Sequence, residues 1–249
     1  MSEIIRTIFW TSTMKSIRCF CFLLLFAATP SQGWCQFFEE GYPSLADFRS
    51  VGLSGVAQDF SPRSSNTQPD SGKIHFTAPL YAAEYRQMGL RVALGYSSYK
   101  FNNSARSEIN FSAESITEVS FVRDRDGGNF FLPIILSTSF IQAGGLTNSS
   151  KDFNVANIGL GTGLKFKQIS ENFGVQITGV GVLYYSTAGF SVESGSSTAV
   201  IAELQFLIRE FIGEGVTAGY RFEAQAWSMT DKKLNYSRQF QGPFLGIFF

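Results

Sequence analysis

Between residues 200 and 227 the chain alternates strictly between two kinds of side chain. Val200, Ala202, Leu204, Phe206 and Ile208 share one parity, and Ile201, Glu203, Gln205, Leu207 and Arg209 share the other. After Ile212-Gly213-Glu214-Gly215 the pattern resumes. Val216, Ala218, Tyr220, Phe222, Ala224 and Ala226 interleave with Thr217, Gly219, Arg221, Glu223, Gln225 and Trp227. Successive side chains of a β-strand point to opposite faces, so a period of two predicts a hairpin with one apolar face and one face carrying charges and amides. Each arm is longer than the usual soluble strand of roughly five or six residues. Its length matches the roughly 9–11 residues that cross a bilayer at a tilt.

The same alternation recurs along most of the chain. It predicts strands over 50–60, 73–86, 90–101, 111–123, 130–143, 155–169, 173–185, 198–211, 216–227 and 240–249. The connections between them read alternately long and short. Residues 61–72, 102–110, 144–154, 186–197 and 228–239 form long polar loops; 87–89, 124–129, 170–172 and 212–215 form tight turns. Ten strands joined in this way put every long loop at one end and both termini at the other. The apolar parity of each strand is expected to face outward. Ala156, Ile158, Leu160, Leu164 and Phe166 oppose Asn157, Gly159, Gly161, Gly163, Lys165 and Lys167. Phe130, Leu132, Ile134, Leu136 and Phe140 oppose Ser137 and Ser139. Ile74, Phe76, Ala78, Leu80 and Ala82 oppose Lys73, His75, Thr77 and Tyr81, and read by the same rule as an outward face. Pro79, Pro133 and Pro243 fall inside strands, where a missing N–H marks a bulge or the rim, or else puts the strand limit elsewhere.

Composition narrows the class. Charged residues make up 16% of the 249, against roughly 25% in an ordinary soluble domain. Phe is abundant at 26 residues. The formal net charge is zero and no basic cluster stands out, which argues against nucleic acid as a partner. The N-terminus has the layout of a secretion signal. Lys15 and Arg18 flank a basic region after Met14, the better start; 19–28 is an apolar core; 29–36 is a polar exit. The domain reading is a signal peptide over 1–35, a periplasmic lead-in over 36–49 and a β-barrel over 50–249. The three cysteines, Cys19, Cys21 and Cys35, all fall in the signal segment. Cleavage after Cys35 would leave the barrel without disulfides.

The chain ends Gly242-Pro-Phe-Leu-Gly-Ile-Phe-Phe249. A terminal aromatic with Ile247 and Leu245 on the same parity resembles the assembly signal of Gram-negative outer-membrane β-barrel proteins. The exit Trp34-Cys35-Gln36 resembles that of Bacteroidetes exported proteins. The resemblance implies an all-β, antiparallel up-and-down transmembrane barrel of about ten strands, eight being the alternative count. It also implies a monomer whose partners are outer-membrane lipids and the barrel assembly machinery.

The candidate chemistry is sparse. Glu203, Gln205, Arg209, Arg221, Glu223 and Gln225, with Glu114 and Glu118, form an expected polar cluster in the lumen. It would either fill a narrow barrel with ion pairs or line a narrow path. The single histidine, His75, precedes Thr77 on the same face, with Glu84 on the opposite parity. This His-x-Thr pair resembles the His/Ser pair of outer-membrane lipid A deacylases, which would make His75 a general base. Gly159-Leu-Gly-Thr-Gly163 looks like part of a dinucleotide loop, but it lies within a β-alternating run with no helix after it. Its glycines are expected to relieve crowding on the lumen side. With no Cys/His cluster, no metal site and no cofactor are expected. Tyr184, Tyr185, Tyr220, Trp227, Phe130 and Phe131 lie near strand ends and suit interfacial aromatic girdles. Three functions remain open: a structural or loop-presenting outer-membrane barrel or narrow pore; an outer-membrane lipid or peptide hydrolase using His75; and a secreted soluble barrel binding an apolar ligand.

Overall fold

The computed structural model describes residues 49–63, 74–87, 89–101, 103–123, 128–144, 153–170, 172–188, 193–209, 214–231 and 234–249. The expected signal peptide over 1–35 and nearly all of the expected lead-in over 36–49 lie outside these. The described residues form ten antiparallel strands: β1 (Arg49–Pro62), β2 (Phe76–Gln87), β3 (Leu90–Phe101), β4 (Ser104–Arg123), β5 (Gly128–Gly144), β6 (Phe153–Ile169), β7 (Phe173–Ala188), β8 (Glu193–Arg209), β9 (Gly215–Met229) and β10 (Tyr236–Phe248). Each strand pairs with its sequence neighbours, and β1 pairs with β10, closing the barrel. The up-and-down barrel inferred from alternation is therefore the observed fold.

Register fixes the slant of the strands. From Arg49 the Cα partners run through Gln87, Leu90, Ser115, Leu136, Leu160, Leu183, Thr198, Ala226 and Ser237. The circuit returns to β1 at Ser61, twelve residues beyond its start. A closed sheet with such a stagger tilts its strands by about 35–45°.

The strands extend further at the long-loop end than alternation suggests. β4 begins at Ser104, so the long loop expected over 102–110 is instead a tight connection. Phe101 pairs with Ser104, and Asn103 sits at φ 61°, a left-handed conformation that Asn tolerates. β8 and β10 likewise start earlier than expected, at Glu193 and Tyr236. The cause is chemical. In 104–107 and 194–197 neither face carries a large apolar side chain, and a period of two leaves no hydrophobic trace there.

The three prolines share one explanation. The β2–β3 ladder begins at Leu80, just past Pro79. The β5–β6 ladder skips from Phe131 to Ile134 across Pro133, and the β1–β10 ladder skips from Gln241 to Phe244 across Pro243. Neither skip shifts the register, so each proline sits beside a missing rung, with no bulge. The irregularity in register lies elsewhere, between Ser120 and Val122.

Polarity is inverted relative to a water-soluble barrel. The outer face exposes large apolar side chains from every strand, among them Leu53, Tyr81, Leu94, Ile109, Leu136, Leu160, Leu183, Val200, Tyr220 and Leu245. At the short-turn end, Phe130 packs beside Phe166 at 5.1 Å and Phe173 beside Phe206 at 6.3 Å. Leu245, Ile247 and Phe249, the three residues of the expected assembly signal, lie on this outer face.

One face assignment is corrected. Ile74, Phe76, Ala78 and Leu80 point inward and are buried, while Tyr81 points outward. Ile74, Phe76 and Ala78 belong to an apolar cluster inside the long-loop end, with Phe60, Tyr99, Ile141, Phe153, Val155, Trp227, Met229 and Tyr236, and Leu80 packs with Val56 and Phe240. The girdle assignment changes with it. Tyr185, Tyr220 and Phe130 face outward, but Trp227 and Tyr184 are interior, and the Phe131 ring lies 5.1 Å from the inward Lys167 ammonium.

Candidate functional site

The barrel interior is layered along its axis. Near the short-turn end, Leu207 and Phe248 pack together against Ile169. Alongside them Glu118 accepts from Lys165 at 2.6 Å and from Lys167 at 2.5 Å, and Gln205 donates to Thr217 at 2.9 Å.

The middle layer is a closed ring of alternating charges. Arg221 on β9 reaches Glu114 on β4 at 2.6 Å, and Glu114 is 3.2 Å from Arg91 on β3. Arg91 pairs with Glu84 on β2 at 3.0 Å, and Glu84 with Arg86 at 2.8 Å. Arg86 pairs with Glu203 on β8 at 2.7 Å, and Glu203 returns to Arg221 at 3.1 Å. Three guanidiniums and three carboxylates thus span the lumen. A branch continues from Arg221 to Glu223 at 3.1 Å, on to Arg238 at 3.6 Å and to Glu108 at 3.4 Å. Gln58 also donates to Glu108. Buried ions persist where each has opposite charges and hydrogen bonds around it, and the ring supplies both. The Arg86 guanidinium also sits 3.9 Å from the centre of the Phe244 ring.

Above the ring, Asn157 ties four strands together. Its amide donates to Ser139 at 3.0 Å, and its carbonyl oxygen accepts from Ser186 at 2.7 Å and from the Trp227 indole at 3.0 Å. Gln225 donates to Ser197 at 3.2 Å. On the same wall, an apolar patch is built by Ile135 of β5, Val180, Val182 and Tyr184 of β7, and Ala199 and Ile201 of β8. Glycine makes room for it. A Cβ on Gly159 would stand 2.5 Å from the Tyr184 ring, and one on Gly161 would stand 2.7 Å from a Val182 methyl. Gly159-x-Gly161 therefore acts as a shelf for inward side chains and opens no phosphate loop. The aromatic cluster completes the stack at the long-loop end.

The residues singled out from sequence divide cleanly. Glu114, Glu203, Arg221 and Glu223 meet in the ring and its branch, and Gln225 touches the branch through Arg238 at 3.5 Å. Glu118 and Gln205 form separate pairs nearer the short-turn end. Arg209 closes β8 at the short-turn rim, where its N–H donates to the Asn172 carbonyl at 3.0 Å. Glu84, Arg86, Arg91, Arg238 and Glu108 complete the network, although alternation along the chain does not mark them as members of the polar cluster. Glu84 and Arg86 continue the parity of Phe76 and Leu80, which reads as an apolar face until the strand reaches the ring. Among the described residues, no group of His, Cys, Asp or Glu side chains has the arrangement to hold a metal ion.

His75 is exposed on the outer face at the long-loop rim, just before β2. Thr77 is also exposed, and its hydroxyl donates to the Asp59 carboxylate at 3.3 Å. No hydrogen bond joins His75 to Thr77 among the described residues, so the nucleophile–base contact of a hydrolase is not formed there.

No family model matches the chain, and no curated protein matches it. Solved structures similar to it include Neisserial surface protein A (12% identity, 81% of this chain and 97% of that one, TM-score 0.34). The translocator domain of the autotransporter NalP from Neisseria meningitidis is another (9%, 86% and 91%, 0.35). The outer membrane protease OmpT from Escherichia coli is a third (8%, 84% and 99%, 0.32). At these identities and TM-scores the likenesses carry nothing about activity.

Proposed function

We propose that the protein is an integral barrel of a Gram-negative outer membrane, closed to solute flow, that serves as a rigid scaffold presenting its long-loop end outside the cell. The observation that carries this reading is the inverted polarity. All ten strands turn apolar side chains outward, while Arg86, Arg91, Arg221 and Arg238 are buried inside with their carboxylate partners. Water would make the outer face costly at roughly 25 cal/mol per Å² of exposed apolar surface, whereas lipid removes that cost. A soluble barrel binding an apolar ligand needs the reverse arrangement. In this orientation the short-turn end, where Gln87 pairs with Leu90, faces the periplasm, and the long-loop end, with Pro62 and Phe76, lies outside.

A filled lumen separates this reading from a pore. The ring crosses the barrel in the middle, and an aromatic layer lies between it and the long-loop end. Small barrels are filled by their own side chains in this way, and wide aqueous channels need about 16 strands. The expected result in planar bilayers is no unitary current from protein shown to be folded by its heat-dependent gel shift. Discrete ion-selective openings from that material would establish a pore instead. For the hydrolase alternative, His75→Ala should leave lipid A profiles and envelope peptidase activity unchanged. Loss of either activity would restore His75 as a general base.

A further inference from the structure

A cavity of about 30 Å³ lies against the β1–β4 wall, between the ion ring and the Phe240–Leu80 contact. Its polar lining is Ser54, Glu84, Arg91, Asn110, Ser112 and Arg221. Two of these carry buried atoms with no hydrogen-bond partner among the described residues: the side-chain oxygen Oδ1 of Asn110 and the Nε of Arg221. Asn110 is 9% exposed and Arg221 5%. One is an acceptor and the other a donor, and both residues line the same small space.

Leaving such a group buried and unpaired costs about 1–3 kcal/mol, more when it is charged. A single species answers both needs: water accepts from Arg221 Nε and donates to Asn110 Oδ1. Two serine hydroxyls and the Glu84 carboxylate offer it further partners. A cavity needs roughly 10–15 Å³ to hold one water, and a buried water typically makes 2–4 hydrogen bonds. Volume and partners therefore both suffice for one water, with room for a second. An ion fits poorly, because the lining and the ring behind it already balance their charges pair by pair. We propose that this cavity is a structural hydration site, in which ordered water bridges Asn110 to Arg221 and completes the solvation of the ion ring. The site stands whether or not the barrel conducts, so its test is independent of bilayer recordings.

The test is water-selective NMR on the full protein folded in phospholipid nanodiscs. The Arg221 Nε–H resonance should show cross-peaks to water in both nuclear and rotating-frame Overhauser spectra, of opposite sign, as a long-lived water requires. Asn110→Leu, of similar size and without the acceptor, should reduce that cross-peak several-fold. A wild-type spectrum in which Arg221 shows contacts to its protein neighbours but none to water would overturn the proposal. So would an Asn110→Leu cross-peak of unchanged intensity. If Asn110→Leu does not fold, the wild-type spectrum decides alone.

Discussion

Arg221→Met lowers the unfolding free energy by about 3–5 kcal/mol, the range seen when one member of a buried ion pair is removed. The expected size follows from what the substitution strands. Arg221 contacts Glu114 at 2.6 Å, Glu203 at 3.1 Å and Glu223 at 3.1 Å, and it is the one residue shared by the ring and its branch. Without it Glu114 keeps Arg91, Glu203 keeps Arg86 and Glu223 keeps only the longer contact to Arg238. Six ring charges then become five, with one carboxylate in excess in an interior that water barely enters. Urea unfolding of the protein in phospholipid vesicles measures the loss. Arg63, exposed beyond β1, supplies the comparison: Arg63→Met should stay within about 0.5 kcal/mol. A loss below about 1 kcal/mol for Arg221→Met would mean that the ring is solvated and the lumen is open.

Trp227→Ala removes a comparable amount, about 3–5 kcal/mol, by a different mechanism. Trp227 is fully buried at the base of the aromatic cluster, with ring centroids 5.3 Å from Phe153 and 6.3 Å from Phe60. Truncation leaves a cavity that the rings fixed on β1 and β6 cannot collapse to fill. Trp227→Phe divides the effect. It keeps most of the packing and loses only the indole N–H to Asn157, whose oxygen still accepts from Ser186. That single hydrogen bond is worth about 0.5–1.5 kcal/mol. Similar losses for the two variants would place the stability in the polar contact and not in the packing.

Strand count, order and closure were legible because alternation persists wherever one face meets charge and the other meets an apolar surround. β5, β6, β8 and β9 show it along most of their length, and their outward faces follow directly from it. The β2 face did not follow, since its interior side changes character along the axis. Phe76 and Leu80 sit in apolar layers, whereas Glu84 and Arg86 sit in the ring. A rule that assigns faces by average polarity turns such a strand over. The same layering hid half of the ring, because each strand contributes only one or two charges and the pairing spans β2, β3, β4, β8 and β9. Trp227 read as a girdle residue for a related reason: aromatics near strand ends serve equally as a belt outside or a plug inside, and only the parity shared with Arg221 and Glu223 distinguishes the two.

The inverted polarity is tested most directly by spin labels on β6. Cysteines at 158, 160 and 164 carry labels on the outer face, where Ile158, Leu160 and Leu164 are exposed. In reconstituted membranes these three sites should collide freely with oxygen, which partitions into lipid, and hardly at all with a water-soluble nickel complex. A label at Asn157, one residue away and buried, should be shielded from both. Outward labels that respond to the nickel complex as strongly as to oxygen would place that face in water and contradict the membrane barrel.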